Sequence, residues 1–285
     1  MKKIFYFLTL FLFSINVFYA QQLENSTLWK ITGNGLEKPS YLFGTIHLTC
    51  DATLSDEVKE ALDKTSQVVL EIDMDDPALQ SKMMSGIAME NGKTLKDFTN
   101  DEEYTMIDSL LIKNTGMSVK MLERAKPFFI ASTYLAKLLD CPAESFEVEL
   151  IKVAKAQNEE VKGLETIQDQ LKVFDDIPYE DQIKDLVKSA KDNLAADKEN
   201  VKILLEVYNT QNITRMYKLM TEDDSATMQH SEILLDNRNM KWIPRIGEYA
   251  KEQPTFFGVG AGHLAGKNGV ITLLKKAGYT VTPVK

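Results

Sequence analysis

The sequence lacks the short motifs that mark several large enzyme classes. It has no Gly-x-Ser-x-Gly elbow of a serine hydrolase and no His-Glu-x-x-His pair of a zinc peptidase. It also has no phosphate loop of the Walker type and no Rossmann glycine pattern after its first predicted strand. These absences argue against classical serine hydrolysis and nucleotide binding, and they turn attention to residues that lie far apart in the chain.

Positive charge is also scarce. The 285 residues include 33 lysines and arginines against 42 aspartates and glutamates, which gives a net charge of −9 at pH 7. Because an acidic protein repels phosphate groups, we expect no nucleic-acid partner. Beyond the N-terminal segment no apolar run is long enough for a transmembrane helix, so we expect no stable membrane span after that segment is removed.

The N-terminal segment has the plan of a secretory signal peptide. Lys2 and Lys3 precede a short apolar run, and the segment ends in Tyr-Ala-Gln, with the predicted cut after residue 20. An uncleaved membrane anchor is the alternative, but polar residues interrupt the run. No cysteine follows it, which argues against a lipoprotein. We therefore expect residues 1–20 to be a signal peptide and 21–285 to form a single exported domain, periplasmic or secreted.

Cysteine is rare, with only Cys50 and Cys141 in the chain. In an oxidising compartment two cysteines invite a disulfide, although sequence alone does not show that they are close. They are alternatively two unpaired small apolar residues. A third interpretation places Cys50, three residues after His47, near a functional site without a ligand role. Neither cysteine has the surroundings of a catalytic nucleophile.

The hydrophobic pattern predicts an α/β fold with a central sheet built from both chain ends. Strand-like runs lie within about 27–76 and 230–285, and the middle, about 77–229, is almost wholly helical apart from a short strand in "EEVKGLET". The run "SYLFGTIHL", a helix capped by Ser55 and the run "QVVLEIDM" predict a βαβ unit with a parallel strand pair. Pro244 predicts a kink or break in the last long helix.

Two of the three histidines follow predicted strands in the same local pattern. His47 lies in "FGTIHL" and His263 in "GAGHL", each with glycine three residues before it. Functional groups in α/β sheets gather at the carboxyl ends of strands, and glycine there permits close approach. Two hydrogen-bonded histidines in tight turns are the alternative. The third, His230, has no glycine context and is expected to be a surface or capping residue.

Three charged residues are candidates to complete a site. Glu71 and Glu165 lie at or near the ends of apolar strands, where an unpaired charge is costly. Arg238 could face an anionic intermediate or pair with one of these glutamates. The alternatives are an outward-facing strand residue for Glu71, a helix-start acid for Glu165 and an exposed helical arginine for Arg238.

Taken together these stretches resemble the TraB/GumN superfamily, whose animal relatives include the Tiki proteases. The matching stretches run from "LWKITG" to "FFGVGAGHLAGKNGVITLLKKAGYTVTPV" and cover roughly residues 27–283. The resemblance implies an α/β core around a helical middle. It also implies site positions for His47, Glu71 and His263, with Glu165 and Arg238 as companions, and a divalent cation such as manganese, cobalt or zinc.

The sequence and the resemblance together lead us to expect a metal-dependent peptidase. His47, His263 and Glu71 are the expected metal ligands, a glutamate is the expected base, and Arg238 is expected to stabilise the oxyanion. The superfamily also resembles erythromycin esterases and haem-binding lipoproteins. An esterase-like hydrolase without metal, using His47 as base and Glu71 to orient it, is therefore one alternative. A protein that binds haem, metal or peptide without turnover is another, and the substrate is a peptide, a protein or a small molecule.

Overall fold

A computed structural model describes residues 23–285, so the predicted signal peptide lies outside the described residues. One six-stranded mixed sheet organises this part of the chain, in the order β4-β3-β5-β2-β1-β6. The four strands from β4 to β2 are parallel, and β1 is antiparallel to both of its neighbours. The strands are β1 (Leu28–Gly33), β2 (Ser40–Thr45), β3 (Gln67–Leu70), β4 (Glu160–Gly163), β5 (Thr255–Gly260) and β6 (Tyr279–Pro283).

The sheet confirms that both chain ends build the core, with one correction. β2 and β3 run parallel, as the βαβ pattern predicts, but β5 lies between them and pairs with both. The central position is thus occupied by β5, "TFFGVG", whose first five residues are buried. A nearly continuous apolar run of this kind is typical of a parallel strand that is buried on both faces of the sheet. The predicted short strand in the helical middle is β4, at the edge of the sheet.

Alternate strand residues pack into two separate cores, one on each face of the sheet. Phe43, Val68 and Phe256 lie in the first core, and Val69 and Phe257 lie in the second. Because neighbouring residues of β3 and β5 are buried on opposite faces, neither strand offers a solvated side. The two cores fix the register of the strands and therefore the positions of the residues that follow them.

Eleven α-helices lie within residues 23–285, together with short 3-10 and π-helical turns. They are α1 (Asp56–Leu62), α2 (Leu79–Ser85), α3 (Asp101–Thr115), α4 (Pro127–Ser132), α5 (Phe146–Gln157), α6 (Ile167–Asp176), α7 (Tyr179–Lys191), α8 (Ala195–Asn209), α9 (Ile213–Thr221), α10 (Asn237–Glu252) and α11 (Val270–Lys276). The helical middle has a third core of its own, formed around Ile107, Ile130 and Leu186. The cap of the predicted first helix is as expected, because the Ser55 side chain accepts from Val58 N.

Helix α10 does not break at Pro244, which lies within it. The irregularity comes earlier, in a π-helical turn at Glu232–Asp236 that runs directly into α10. Such wide turns inside helices often occur at functional sites. Here the turn immediately precedes Arg238.

The two cysteines form a disulfide, Cys50–Cys141, with 5.6 Å between their Cα atoms. Beside it, Thr49 and Glu144 exchange backbone hydrogen bonds of 3.0 and 2.8 Å. This pairing joins the segment after β2 to the segment before α5. The predicted disulfide is therefore present, and the alternative of two unpaired cysteines is wrong.

Across residues 23–285, no helix combines the length and apolar character needed to cross a membrane.

Candidate active site

The carboxyl ends of the four parallel strands carry the predicted site residues. His47, Glu71, Glu165 and His263 follow β2, β3, β4 and β5 in turn, each within three residues of the strand end. Arg238 comes from the first turn of α10. The parallel strands place their carboxyl ends at one edge, so the fold brings together five residues that are spread over most of the chain.

The centre of this group is Gly260, the last residue of β5. A methyl group on its Cα would lie 3.3 Å from Glu71 Oε1, 3.6 Å from His47 Nε2 and 3.6 Å from His263 Cδ2. The absence of a side chain at Gly260 therefore leaves the space into which these three side chains converge.

Both carboxylate oxygens of Glu71 are engaged. Oε1 accepts from the Gly260 backbone N–H at 2.8 Å, and Oε2 accepts from Arg238 Nη2 at 2.5 Å and Gln170 Nε2 at 3.1 Å. Burial alone would raise the pKa of Glu71, but nearby cationic groups, His263 when protonated and Arg238, outweigh it together with the Gly260 N–H. The pKa of Glu71 is thus well below its usual range and the carboxylate is ionised.

Arg238 is held by the second glutamate. Glu165 Oε1 accepts from Arg238 Nε at 3.0 Å and from Nη2 at 2.6 Å, and Glu165 Oε2 accepts from Trp242 Nε1 at 3.0 Å. The guanidinium carbon also lies 4.8 Å from the centre of the Trp242 ring. Both oxygens of Glu165 are therefore committed to fixing Arg238 and Trp242.

His263 is buried and its two nitrogens have different partners. Nδ1 lies 2.6 Å from Asn239 Oδ1, and Nε2 lies 3.2 Å from Arg238 Nη1. Asn239 is itself oriented, because its Nδ2 donates to the Asn268 carbonyl at 2.9 Å. Since the amide oxygen only accepts and the guanidinium only donates, Nδ1 carries the proton and Nε2 is bare. Burial, aided by the Arg238 charge and opposed by Glu71, lowers the pKa of His263 to about 3.

His47 faces the site from the open side, with 67% of its side chain exposed. Its Nδ1 lies 2.7 Å from Glu147 Oε1. The surrounding protein lowers the pKa of His47 by desolvation, but the hydrogen bond and the charge of Glu147 outweigh this and raise it to about 9.

Glu147 is buried in the first turn of α5 and holds His47 from the helical middle. Besides His47, Thr45 Oγ1 donates to its Oε1 at 2.5 Å and Ser145 Oγ donates to its Oε2 at 2.6 Å. Burial would raise the pKa of Glu147, but these hydrogen bonds and the His47 charge bring it to about 2. His47 is therefore hydrogen-bonded to Glu147 and not to Glu71, unlike the esterase-like arrangement considered from the sequence.

Four contacts of the site were not predicted, those of Glu147, Asn239, Trp242 and Gln170. Glu147 reads as an ordinary helix-start acid in "SFEVEL", with nothing local that points to His47. Asn239 and Trp242 stand in the same stretch as Arg238, "DNRNMKW", where their spacing along one helix was the available signal. His230 lies outside the site, 2.9 Å from Asp181 of α7 in the helical middle.

Within residues 23–285, no group of three or more histidine, cysteine, aspartate and glutamate side chains stands arranged to hold a metal ion. Glu71 and His263 are instead hydrogen-bonded to Arg238, and His47 is hydrogen-bonded to Glu147. The arrangement offers one exposed imidazole nitrogen on His47, one ionised carboxylate on Glu71 and one fixed cation on Arg238. This combination suits the movement of a proton beside a group that develops negative charge.

Comparison with protein families decides the kinship of the chain. The profile of the TraB/PrgY/gumN family matches residues 27–283. The chain belongs to this family. As a TraB/PrgY/gumN protein it is also similar to curated relatives named metalloproteases.

The metalloprotease TIKI1 of Danio rerio is 22% identical over 312 aligned residues, covering 90% of this chain and 63% of the relative. TIKI1 of Homo sapiens is 24% identical over 322 aligned residues, covering 92% of this chain and 62% of the relative. This TraB/PrgY/gumN chain thus spans a little under two thirds of the length of these relatives. No solved structure matches it.

Proposed function

We propose that this chain is an exported hydrolase that cleaves peptide bonds with a divalent metal ion, manganese, cobalt or zinc. The observation that carries the proposal is the convergence of His47, Glu71 and His263 on Gly260 beside Arg238. The relatives named metalloproteases support a peptide or protein as the substrate class.

The residues around Gly260 fit such an ion in donor chemistry. Two imidazoles and one carboxylate are donor types that manganese, cobalt and zinc accept. In the structure Arg238 donates to His263 Nε2, so coordination there requires the guanidinium to leave that nitrogen. Glu165 accepts from two other N–H groups of Arg238, on Nε and Nη2, and would keep the guanidinium anchored beside the site after Nη1 leaves His263. His47, His263 and Glu71 would then hold the ion.

When bound, the ion supplies Lewis acidity that activates water and polarises a carbonyl. Glu71 supplies the negative charge of the site and stays ionised at neutral pH. The positively charged guanidinium of Arg238 lies beside His263 Nε2. There it would stabilise negative charge on the substrate oxygen. Glu165 and Trp242 keep Arg238 in position and exclude water from its buried side.

Export is part of the proposal. The N-terminal segment has the plan of a signal peptide, and the Cys50–Cys141 disulfide is typical of proteins that fold in an oxidising compartment. Mass spectrometry of the protein secreted by its host tests this directly. A mature chain that begins at Gln21 is the expected result, and a retained Met1 would contradict it.

Metal content and peptide cleavage test the enzymatic part. Residues 21–285 are purified without chelator, and bound metal is measured by mass spectrometry before and after incubation with manganese, cobalt or zinc. The His47→Ala/His263→Ala double variant is compared with His230→Ala as a matched control. We expect near-stoichiometric metal and peptide cleavage in the wild type and the control, both lost in the double variant. An active His47→Ala variant would overturn the proposal.

A metal-free hydrolase is the second candidate, favoured by the hydrogen bonds that the site makes now. His47 Nδ1 is held by Glu147, which leaves Nε2 as the nitrogen that can exchange a proton with water or substrate, and His263 Nε2 is already taken by Arg238. Hydrolysis that continues in the presence of a strong chelator, with no metal retained by the wild type, would select this candidate. Hydrolysis that stops with chelator and returns with one cation would reject it.

A further inference from the structure

The carboxylate of Glu147 is buried, yet its oxygens face three donors. His47 Nδ1, Thr45 Oγ1 and Ser145 Oγ lie 2.7, 2.5 and 2.6 Å from its oxygens. A buried charge with fewer partners would be strongly unfavourable, so this set of donors is what permits a carboxylate here. The position of Glu147 in the first turn of α5 adds a favourable interaction with the helix dipole.

Two different segments meet at this carboxylate and are tied together beside it. The segment that follows β2 carries His47, and the segment before α5 carries Ser145. The Cys50–Cys141 disulfide and the backbone pairing of Thr49 with Glu144 join the two segments. The position of Glu147 relative to His47 is therefore fixed by covalent and backbone contacts, independently of their own hydrogen bond.

The exposed imidazole of His47 has no comparable restraint on its other side. With 67% of its side chain open to solvent, packing alone leaves several rotamers accessible. The hydrogen bond to Glu147 selects the one in which Nε2 points to Gly260, 3.6 Å from the position of a methyl group on that residue. A hydrogen bond from the far nitrogen commonly orients a functional histidine in this way.

We propose that Glu147 is the positioning residue of His47, holding Nδ1–H so that Nε2 faces Glu71 and Gly260. The inference rests on the proposed function in one respect, that His47 acts on substrate or metal through Nε2. The orientation itself is independent of whether a metal is bound. Glu147 touches neither substrate nor metal and acts only through the imidazole.

Nuclear magnetic resonance of the histidine ring protons tests the orientation. The chain has only three histidines, so ¹⁵N-histidine labelling of residues 21–285 gives a simple spectrum. We expect a downfield, slowly exchanging Nδ1–H resonance for His47 in the wild type. Glu147→Gln keeps an acceptor of the same size without charge, so the resonance should persist but move upfield. Glu147→Leu removes the acceptor, so the resonance should vanish.

The matched control is Glu144→Gln. Glu144 lies three residues earlier and its side chain accepts from the Ala52 backbone N–H, whereas the hydrogen bond of His47 goes to Glu147. We expect the His47 resonance to be unchanged in this variant. Thermal unfolding of every variant shows whether a lost resonance reflects a lost orientation of His47 or a lost fold. If Glu147→Leu does not fold, the nearly isosteric Glu147→Gln alone tests the orientation. An unmoved resonance in folded Glu147→Gln would overturn the proposal.

Metal affinity gives a second readout. Titration with Mn(II), Co(II) and Zn(II) should show affinity weakened by about 10- to 100-fold in Glu147→Leu, and less in Glu147→Gln, with Glu144→Gln unchanged. If the wild type binds none of these ions, metal dependence fails, while the ring-proton resonance still decides the role of Glu147. If Glu147→Leu binds metal as tightly as the wild type, Glu147 does not position His47 for that purpose and the proposal falls.

Discussion

Asn239 fixes the proton of His263 by accepting from its Nδ1 at 2.6 Å. The amide cannot do this in the reverse orientation, because Asn239 Nδ2 donates to the carbonyls of Asn268 and His263. The tautomer of a buried histidine is thus set by three bonds of one asparagine, and the bare Nε2 is directed at Arg238.

The Asn239→Leu substitution should release this tautomer while preserving side-chain volume. We expect hydrolysis and metal affinity to fall by about 10- to 100-fold, because the ring loses its orientation. Unfolding should also become easier by about 1–3 kcal/mol, since buried carbonyls lose their donor. Steady-state rates and urea denaturation measure the two effects. Asn268→Ala is the control, because Asn239 contacts only its backbone, and an equal loss in that variant would contradict the assignment.

Arg238→Met should separate cation affinity from activity. The guanidinium contacts Glu71, Glu165 and His263, so its removal leaves two uncompensated carboxylates and frees the His263 Nε2. We expect divalent cations to bind at least about tenfold more tightly and hydrolysis to be lost. Isothermal titration in low salt measures the affinity.

Arg245→Met is the control for this experiment, two helical turns further along α10. It removes the same charge from the same helix, and we expect cation affinity to be unchanged within a factor of two or so. Weaker cation binding in Arg238→Met than in Arg245→Met would show that Arg238 helps to hold the ion and does not compete with it.

Much of the site could be predicted from the sequence because the strands that precede its residues are recognisable as apolar runs. Glu71 and His263 come within three residues of runs that are apolar enough to be recognised as buried strands, and parallel strands bring their carboxyl ends to one edge. What the local pattern does not contain is the strand order. Nothing in "QVVL" indicates that β5, more than 180 residues later, pairs with β3 in place of β2.

The contribution of the helical middle was hidden for a related reason. Glu147 and Gln170 lie on helices whose own patterns explain them as ordinary polar positions, and their partners His47 and Glu71 are about 100 residues away. Only tertiary packing makes them neighbours, and the disulfide ties together only the segments of His47 and Glu147. The disulfide could not be predicted with certainty either, because the spacing of two cysteines in the sequence does not show whether they are close in the fold.

Lys126 is a buried cation that supports the helix carrying Gln170. Its Nζ donates to the carbonyls of Gly86 and Leu171 and pairs with Asp175 at 2.8 Å. We expect Lys126→Met to lower the free energy of unfolding by about 3–5 kcal/mol, because the Asp175 charge stays buried without its cation. Urea denaturation measures this loss.

The double variant Lys126→Met/Asp175→Asn should recover part of that stability, because it removes the uncompensated charge. Lys184→Met is the surface control. It breaks an ion pair with Asp181 in which the lysine side chain is 67% exposed, and should change stability by less than about 1 kcal/mol. If Lys126→Met and Lys184→Met lowered the free energy of unfolding equally, the burial of Lys126 would not be the reason for its contribution to stability.

Gly262 meets Met220 of α9 with no room for a side chain. A methyl group on its Cα would lie 2.1 Å from Met220 Sδ, while the backbone of Gly262 is not left-handed. Gly262→Ala should therefore destabilise the protein by about 1–3 kcal/mol and disturb the neighbouring His263. Combining it with Met220→Ala should restore most of that loss, as a double-mutant cycle of thermal unfolding would show. Additive losses would place the cause elsewhere.

Asp197 should make stability fall as pH rises. Burial and the charge of Asp192 raise the pKa of Asp197, and they outweigh the hydrogen bond with Ser189 and the charge of Lys188, which lower it. The Oδ2 atom of Asp197 is buried with no hydrogen-bond partner among residues 23–285. Well below pH 4, Asp197 is protonated in both the folded and the unfolded state, and its burial carries no ionisation penalty. Above that range the unfolded state ionises first, which favours unfolding until the folded carboxyl ionises too.

We expect Asp197→Asn to be more stable than the wild type by about 1 kcal/mol at pH 7, with the difference narrowing toward pH 4. Urea denaturation across this range gives the comparison. A difference that grows toward low pH would have the wrong sign for a raised pKa.

The place of β5 in the sheet has a consequence for the order of synthesis. β2 and β3 both need β5 as a neighbour, yet β5 begins at Thr255, close to the end of translation. Until the ribosome has made it, two apolar strands carry open edges, which are prone to pair with other chains. The helical middle has its own core and is complete long before. A nascent chain can thus form the core of its helical middle early, but it completes the sheet edge that carries His47, Glu71 and His263 in one late step.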